Sequence, residues 1–394
     1  MSERVTAAGE EYVLHRTPNR SGVRLSIVMP AYRATAVLPR AFEALARSDL
    51  ERDRWELIVA VDGDSMGRDG DRTAEVALEC ADVVVRLPGK PRGPSYARNR
   101  GAEVARGDVL LFVDSDVCVH PDTLRRVLAT LDEDPDIDSV FGCYDDAPEA
   151  AGVVSKYRNL LHHYVHLQGV GDAETFWAGC GAIRTEVFLA VGMYDEWHFS
   201  RPQIEDIELG RRLRRYGHRI RLDPSIQACH LKKWTLAGVL ETDLRNRGVP
   251  WMRLILHEGP NAGTGTLNVR PIHRACVALT WISFGMLPAA LVLLSWWPIV
   301  ISLATALAVV AMNHGFFRLL GRVAGWRVAL GSIPLHLLFY LSNGLSALSG
   351  ALAYSFVGAP QPPPDVAAFQ EVGVETWPPV PSRPKESVWY EHGA

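Results

Sequence analysis

The sequence lacks several features that would assign it to a common class of protein. Its six cysteines lie far apart without a CxxC pair, which argues against a disulfide framework and favours reduced thiols. Residues 1–22 contain no apolar core, so we expect no signal peptide and a cytoplasmic location for the bulk of the chain before residue 270. The formal net charge is only −4, which excludes a strongly basic nucleic-acid-binding protein.

Two long stretches contain no Asp, Glu, Lys or Arg: the 43 residues 275–317 and the 37 residues 328–364. About 20 apolar residues span a bilayer, so we predict three membrane helices near 275–294, 298–317 and 328–357. A buried hairpin of a soluble core is the alternative. Three arginines between the two stretches, Arg318, Arg322 and Arg327, favour the membrane interpretation through the positive-inside rule.

The first two-thirds of the chain alternate short β-branched runs with helical patterns, which is typical of parallel strands joined by crossover helices. Candidate buried strands include residues 25–29, 83–87 and 109–113. The fold class that we predict is α/β, an open and mostly parallel sheet with flanking helices, followed by transmembrane helices. The predicted regions are a polar tail over 1–22, two α/β halves over 23–150 and 151–260, a linker over 261–274, a membrane region over 275–357 and a Pro-rich acidic tail over 358–394.

Ligands of such sheets bind beyond the carboxyl ends of the strands, so the residues that follow each strand matter most. Those residues are Pro30-Ala31-Tyr32, Asp62-Gly63-Asp64 and Asp114-Ser115-Asp116. Two carboxylates two residues apart at a strand end, without Cys/His pairs nearby, suit Mg²⁺ or Mn²⁺ better than zinc. An acidic turn before His120-Pro121 explains the isolated tripeptide equally well.

These segments form an ordered set with residues 93–101 (GPSYARNRG), residues 178–195 and Ile204-Glu205-Asp206. The set resembles the family 2 glycosyltransferases of the GT-A fold, over about residues 23–260. The resemblance implies an inverting enzyme that uses a nucleotide-sugar donor and a divalent metal. It also implies that 23–150 is the donor-binding half and 151–260 the acceptor-binding and catalytic half.

Site residues follow from the resemblance, position by position. The nucleotide-binding set that it implies is Pro30, Ala31, Tyr32, Asp62, Lys90, Arg98, Asp114 and Ser115, where single Lys and Arg residues equally suit a solvated helix face. The metal ligands that it implies are Asp116 and His230, although a lone histidine is more often structural. We also place the sugar pocket at Gly179, Cys180 and Gly181 after Trp177, because small residues let the backbone approach a sugar closely, although a tight turn explains them equally well. Arg247 and Trp251 are candidates for the acceptor site.

The carboxylates of Glu205 and Asp206 open a predicted helix over 204–216 that Gly217 ends. Transfer with inversion needs a base that takes the acceptor's hydroxyl proton. In the resembled family the second acid of this pair is the base, which indicates Asp206, with Glu205 beside it. Acids are also favoured at any helix N-terminus, which is the structural alternative.

The sequence departs from the resembled family at one block, which bears on the identity of the acceptor. Polysaccharide synthases of this family carry a Gln-x-x-Arg-Trp block, whereas residues 245–251 read RNRGVPW here. We therefore favour a single-addition enzyme that transfers a sugar to a hydroxyl, or alternatively a phosphate, of a lipid or lipid-linked acceptor at the cytoplasmic membrane face. The alternatives are a processive synthase and a catalytically silent scaffold that binds nucleotide sugars. A transporter is disfavoured because the predicted spans carry no charged residue.

Overall fold

The computed structural model describes residues 2–7, 10–16, 22–64, 70–259 and 270–358. The strands are β1 (Ser2–Ala7), β2 (Glu10–Arg16), β3 (Leu25–Ala31), β4 (Trp55–Asp64), β5 (Val83–Pro88), β6 (Val109–Val113), β7 (Val117–Val119), β8 (Ser139–Tyr144), β9 (Gly171–Ala173), β10 (Cys180–Arg184) and β11 (Ile220–His230). The helices are α1 (Leu38–Ala46), α2 (Thr73–Cys80), α3 (Pro94–Glu103), α4 (Thr123–Glu133), α5 (Val153–Leu167), α6 (Thr185–Ala190), α7 (Glu205–Arg215), α8 (Leu236–Glu241), α9 (Val249–Glu258), α10 (Pro271–Val292), α11 (Trp297–Met312), α12 (His314–Val323), α13 (Trp326–Gly331) and α14 (Ile333–Val357).

The chain divides into two compact units. The first contains residues 1–143 and 170–231, and the second contains residues 144–169 and 232–360. The predicted boundaries near 150 and 260 differ from this division, because α5 and the segment after residue 231 group with the C-terminal helices. Hydrophobic contacts of Tyr157, Leu160 and Leu161 on α5 with later helices account for that grouping.

The first unit is built on one mixed sheet with the strand order β1-β2-β5-β4-β3-β6-β10-β8-β11-β7, and β9 pairs with β11. The predicted parallel arrangement is confirmed for the four strands β5, β4, β3 and β6. All seven residues of β3 are buried, which explains its continuous apolar composition. The carboxyl ends of these parallel strands therefore form the edge at which the sequence analysis expects a ligand.

The remaining pairings of the sheet are antiparallel, which the prediction of a mostly parallel sheet did not anticipate. β10 lies between β6 and β8 and runs opposite to both. At the other edge, β2 pairs with β5 and β1 with β2, where the sequence analysis had only a polar tail. The apolar run Val13-Leu14 is too short to stand out in the sequence; pairing with the edge of β5 buries Leu14.

The second unit consists of helices. Two of its helical segments, Pro271–Val292 and Trp326–Val357, are long and apolar enough to cross a membrane. A third span results only if α11 and α12, which bend by 68° at their junction, count as one. The three predicted spans therefore correspond to two clear candidates and one broken helix. The predicted linker and C-terminal tail lie mostly outside the described residues.

Helices of the second unit pack around one aromatic cluster. Tyr157 from α5, Phe316 from α12 and Tyr340 from α14 are fully buried together. α8 and α9 continue through a π-helical turn, Thr242–Gly248, where Arg158 pairs with the buried Asp243 at 2.6 Å. Burying Arg158 beside α8 and α9 ties α5 to the helices that follow residue 231.

Candidate active site

Three parallel strands of the first unit end side by side. Ala31 of β3 pairs with Val61 of β4, so Pro30, Ala31 and Tyr32 lie next to Asp62. On the other side of β3, Val28 pairs with Phe112 of β6, which brings the end of β6 to the same edge. The structure thus gathers the predicted nucleotide-binding segments, and Tyr32 exposes half of its surface there.

Asp62 is buried and its carboxylate accepts hydrogen bonds from the backbone N–H groups of Arg92 (3.1 and 2.9 Å) and Gly93 (2.7 Å). Burial raises the pKa of Asp62, and these N–H groups oppose the rise. The contact fixes the turn before α3 to the end of β4. A carboxylate offers about four acceptor positions, so Asp62 retains capacity for a ligand N–H.

Arg98 lies on α3 and is buried, not part of a solvated helix face. Its Nη2 donates to Oδ1 of Asp114 at 2.7 Å, and its Nη1 donates to Oε1 of Glu205 at 3.2 Å. The guanidinium also lies 5.3 Å from the ring centre of Tyr194. Lys90, by contrast, is exposed in the turn after β5.

The pKa values of the Arg98–Asp114 pair reflect a site with several charges. Burial acts against the charge of Arg98, yet the carboxylates around it outweigh burial and raise its pKa. The pKa of Asp114 is raised first by its position away from bulk water and then by Asp116, while Arg98 acts in the opposite direction. The positive charge of Arg98 therefore offsets the repulsion between the carboxylates of Asp114 and Asp116 at this strand end.

The helix α7 begins at the predicted acidic pair. Glu205 is buried, and its Oε2 accepts from the N–H of Gln203 at 2.8 Å while its Oε1 faces Arg98. Asp206 is half-buried, and its Oδ1 accepts from the N–H of Ile207 at 2.8 Å. Gly217 follows α7 with φ of 85°, the left-handed conformation expected after a helix end.

Close packing determines where α7 starts. A Cβ atom at Gly210 would collide with the backbone of Thr175 and Phe176, so only glycine lets the helix approach that segment. On the same helix, Glu208 and Arg212 form a buried pair with Nη2 to Oε2 at 2.7 Å. Both contacts fix the position of α7, whose first turn carries Glu205 and Asp206 beside Arg98.

The two predicted metal ligands are adjacent. His230 pairs with Val117 across β11 and β7, and its Nε2 lies 3.4 Å from Oδ2 of Asp116. Within the described ranges, no group of three or more His, Cys, Asp or Glu side chains is placed to hold a metal ion. One carboxylate and one imidazole still fit a cation that takes its other ligands from substrate phosphates and water, as Mg²⁺ sites commonly do.

Trp177, Gly179, Cys180 and Gly181 are buried at the start of β10. Cys180 pairs with Val113, the residue before Asp114, so this segment borders the acidic strand end. A Cβ at Gly179 would collide with the indole of Trp177, and burial raises the pKa of Cys180 to about 12. The indole of Trp177 leaves no room for a side chain at position 179, which explains Gly179. The raised pKa of Cys180 keeps its thiol protonated and therefore unreactive.

Arg247 and Trp251 belong to the second unit. Arg247 lies in the π-helical turn and Trp251 in the first turns of α9, and both are half-buried. The sequence analysis grouped them with the acceptor pocket, and this grouping stays a prediction. Ser115 is half-buried between the two carboxylates of its strand end.

Sequence reasoning missed the side chains that support Arg98. Asn99 donates to the carbonyl of Tyr194 at 2.9 Å, accepts from its N–H at 3.0 Å and donates to Glu196 at 2.7 Å. The Tyr194 hydroxyl is buried and has no hydrogen-bond partner among the residues that the structure describes. Asn99 lies within residues 93–101 and Tyr194 within residues 178–195, and the local sequence of either segment carries no signal for their contact.

The chain resembles known proteins. Residues 26–190 match the family described as glycosyl transferase family 2. The resemblance to family 2 glycosyltransferases is thereby confirmed over this part of the chain. A solved mannosyltransferase from Pyrobaculum calidifontis, in complex with GDP-Man and Mn²⁺, has a TM-score of 0.50 and 16% identity, covering 84% of this chain and 89% of that one. That likeness confirms the GT-A-like fold.

Two curated proteins are similar in sequence to part of this chain. The glucosyl-dolichyl phosphate glucuronosyltransferase of Haloferax volcanii is 34% identical over 87 residues, 22% of this chain and 27% of the relative. The validoxylamine A glucosyltransferase of Streptomyces hygroscopicus subsp. jinggangensis is 29% identical over 225 residues, 49% of this chain and 52% of the relative. The chain thus matches between about a quarter and half of the length of these relatives.

Proposed function

We propose that the protein is an inverting glycosyltransferase that moves a sugar from a nucleotide diphosphate sugar to a hydroxyl of a lipid or lipid-linked acceptor. The observation that carries this proposal is the double contact of Arg98, which joins Asp114 at the end of β6 to Glu205 at the start of α7. It brings the acids suited to a donor diphosphate and the acids suited to an acceptor hydroxyl into one site.

The donor occupies the edge formed by β3, β4 and β6. Tyr32 offers an exposed ring against which a base can stack, and Asp62 accepts from a base N–H. Asp114 and Ser115 face the ribose and phosphates, and Lys90 supplies an exposed positive charge from the turn after β5. A solved structure with the same fold contains GDP-Man, which supports a nucleotide-sugar donor.

Asp116 and His230 would hold a divalent cation, and Mn²⁺ is present in the solved mannosyltransferase. Such a cation, when bound, stabilises the charge that develops on the departing diphosphate. The chain's own contribution is to hold Asp116 beside His230 through the pairing of β7 with β11. His230 is the last residue of β11, and Asp116 directly precedes β7, where its carbonyl accepts from the N–H of Leu231 at 2.9 Å.

Asp206 is the base that takes the acceptor proton, and Glu205 positions it. Both carboxylate oxygens of Glu205 accept hydrogen bonds, one from Arg98 and one from the N–H of Gln203, so Glu205 is suited to orienting the start of α7. Asp206 is more exposed than Glu205 and follows it on the same turn. A positioned carboxylate typically contributes roughly 10²- to 10⁴-fold to such a proton transfer.

The acceptor is a membrane lipid or a molecule linked to one. Two long apolar helices in the second unit support membrane association, and one relative's name includes a dolichyl phosphate sugar. Arg247 and Trp251 would contact that acceptor, and Trp177 with its glycines would border the transferred sugar. The catalytic side faces the cytoplasm, where nucleotide sugars are made.

The test incubates membranes that contain the full chain with a panel of radiolabelled nucleotide sugars and then extracts the lipids. Label in the lipid fraction that requires Asp206 supports the proposal. Label in high-molecular-weight polymer would instead indicate a processive synthase. Donor binding without transfer or hydrolysis, under every donor, would indicate a scaffold and overturn the proposed activity.

A further inference from the structure

The segment that leads into α7, residues 197–204, carries an arginine that the proposed chemistry does not use. Its sequence is WHFSRPQI, and two of its apolar residues, Phe199 and Ile204, are buried. The residues between them at 200–202 are exposed. Arg201 forms no ion pair with any Asp or Glu among the residues that the structure describes. The segment therefore presents a guanidinium to solvent whose charge is not compensated.

Both ends of this segment are fixed by acids. Oδ1 of Asp195 accepts from the N–H groups of Trp197 and His198 at 3.1 and 3.0 Å. At the other end, Oε2 of Glu205 accepts from the N–H of Gln203 at 2.8 Å. Both acids are buried. The exposed residues between them are therefore held on a fixed backbone, which lowers the entropy cost of ordering them around a ligand.

The middle of the segment lies against the turn that contacts Asp62. A Cβ atom at Gly93 would come within 2.6 Å of the backbone C and O of Ser200 and within 2.8 Å of the N of Arg201. Gly93 also has φ of 96°, so glycine suits both its conformation and this close approach. Its N–H donates to Asp62 at 2.7 Å. The backbone of Arg201 therefore lies at the sheet edge where we propose that the donor binds.

The side chain of Arg201 is held by a neutral group. The side-chain oxygen of Gln203, in the amide orientation that satisfies both its oxygen and its nitrogen, accepts from Nε of Arg201 at 2.6 Å and from Nη2 at 3.2 Å. A guanidinium has five N–H donors, so others stay available after these two contacts. An amide carries no charge, and the positive charge of Arg201 is therefore also available to an anion.

Gln203 also connects Arg201 to the acids of the site. Its backbone N–H donates to Glu205, and the other carboxylate oxygen of Glu205 accepts from Arg98 at 3.2 Å. Arg98 in turn donates to Asp114 at the end of β6. Because Arg98 already contacts two carboxylates, Arg201 is the arginine of this series whose charge is left for a ligand.

A guanidinium held in this way suits a phosphate group, because its planar fork of N–H groups matches two phosphate oxygens. We propose that Arg201 binds a phosphate group of a substrate at this edge, with Gln203 orienting the guanidinium. The phosphate belongs to the donor diphosphate or to a lipid-linked acceptor, and this inference rests on the proposed function. If it is the donor's, the guanidinium also stabilises the charge on the departing diphosphate.

The test measures binding without transfer, on the purified full chain in detergent. Calorimetric titrations with UDP, GDP and dTDP in the presence of Mn²⁺ are compared with titrations of the corresponding nucleosides. If the phosphate is the donor's, Arg201→Gln should weaken nucleoside diphosphate binding about 10-fold or more and leave nucleoside binding unchanged. If it is the acceptor's, diphosphate binding stays, and binding of polyprenyl diphosphate falls by that factor while binding of the matching polyprenol does not.

A second variant tests the neutral partner. Gln203→Glu keeps the length of the side chain but places a carboxylate against Arg201, so the same phosphate-bearing probe should bind about 10-fold more weakly although the arginine remains. The matched control is Arg125→Gln, an exposed arginine of α4 in the same unit, which should bind every probe like the unmodified protein. Thermal unfolding of Arg201→Gln should be unchanged, because the side chain is exposed.

Three results would overturn the inference. The first is unchanged affinity of Arg201→Gln for both the nucleoside diphosphates and polyprenyl diphosphate. The second is an equal loss of affinity for the phosphate-free probes, which would indicate a structural role, and the third is normal binding in Gln203→Glu, which would remove the part assigned to Gln203. Diphosphate binding that depends on Arg201 in a protein that transfers no sugar would keep this inference and overturn the proposed function.

Discussion

Arg98 of α3 and Glu205 of α7 form a buried ion pair, with Nη1 and Oε1 3.2 Å apart. The residues are 107 positions apart in sequence, and the same guanidinium contacts Asp114. The start of α7 is therefore connected to the end of β6.

The first prediction tests this connection. Arg98→Lys keeps the charge but cannot make two separate forked contacts from one nitrogen. We expect turnover to fall by roughly 10²-fold while the KM for the donor changes little, because the helix start loses its position. Arg98→Met should instead lower the free energy of unfolding by about 3–5 kcal/mol, since it leaves buried acids uncompensated.

The matched control is Arg125→Lys, whose exposed pair with Asp49 should contribute under about 1 kcal/mol. Kinetics and thermal unfolding of all three variants answer the question. A KM increase in Arg98→Lys without a fall in turnover would assign Arg98 to donor binding alone.

The second prediction concerns the metal. Asp116→Ala should abolish transfer and metal-dependent donor binding, and excess EDTA should inactivate the unmodified protein. His230→Gln should weaken the metal response less, because the carboxylate remains. Calorimetric titration of Mn²⁺ with a nucleoside diphosphate measures both, with Asp122→Asn as a control acid. Full activity of the unmodified protein in EDTA would contradict the metal assignment.

The third prediction concerns the base. Asp206→Asn keeps the shape of the side chain but cannot take a proton, so turnover should fall by roughly 10²-fold or more with donor affinity nearly unchanged. Single-turnover kinetics and equilibrium donor binding separate the two effects. Asp172→Asn, an exposed acid of the same unit, is the control. Loss of donor binding alone would reassign Asp206 to the donor site.

The fourth prediction concerns the packing of α7 against the segment that contains Phe176. Gly210→Ala places a methyl group against the backbone of Phe176, so the helix must move or the unit must lose stability. We expect a loss of about 1–3 kcal/mol in the free energy of unfolding, the usual range for overpacking, together with reduced turnover. Gly321→Ala, where nothing lies within 4 Å of the added methyl group, should leave both unchanged.

The fifth prediction concerns sidedness. We expect the catalytic unit and the arginines of 318–327 on the cytoplasmic side, with the turn between α10 and α11 on the other side. An impermeant thiol reagent on intact cells should label Ser295→Cys but neither Gly321→Cys nor the native exposed Cys80. Labelling of Gly321→Cys without permeabilisation would contradict this topology. Three crossings would also place the C-terminus on the side opposite the catalytic unit, and that expectation concerns residues outside the described ranges.

Local sequence patterns were sufficient to predict several strands and one helix of this protein. The runs 25–29, 83–87 and 109–113 predicted β3, β5 and β6 because a strand buried on both faces is continuously apolar. The helix over 204–216 was predicted because its acids, its periodicity and Gly217 are local signals. The alignment of Tyr32, Asp62 and Asp114 at one edge followed from parallel topology.

Tertiary structure decided what no local pattern encodes. The antiparallel position of β10 beside β6 depends on pairing between residues about 70 positions apart, which sequence periodicity cannot specify. The same is true of Arg98, whose sequence context suits a solvated helix face, yet whose charge is buried because two distant carboxylates meet it. Hydrophobic patterning selects elements, whereas desolvation and ion pairing between distant segments select the chemistry of the site.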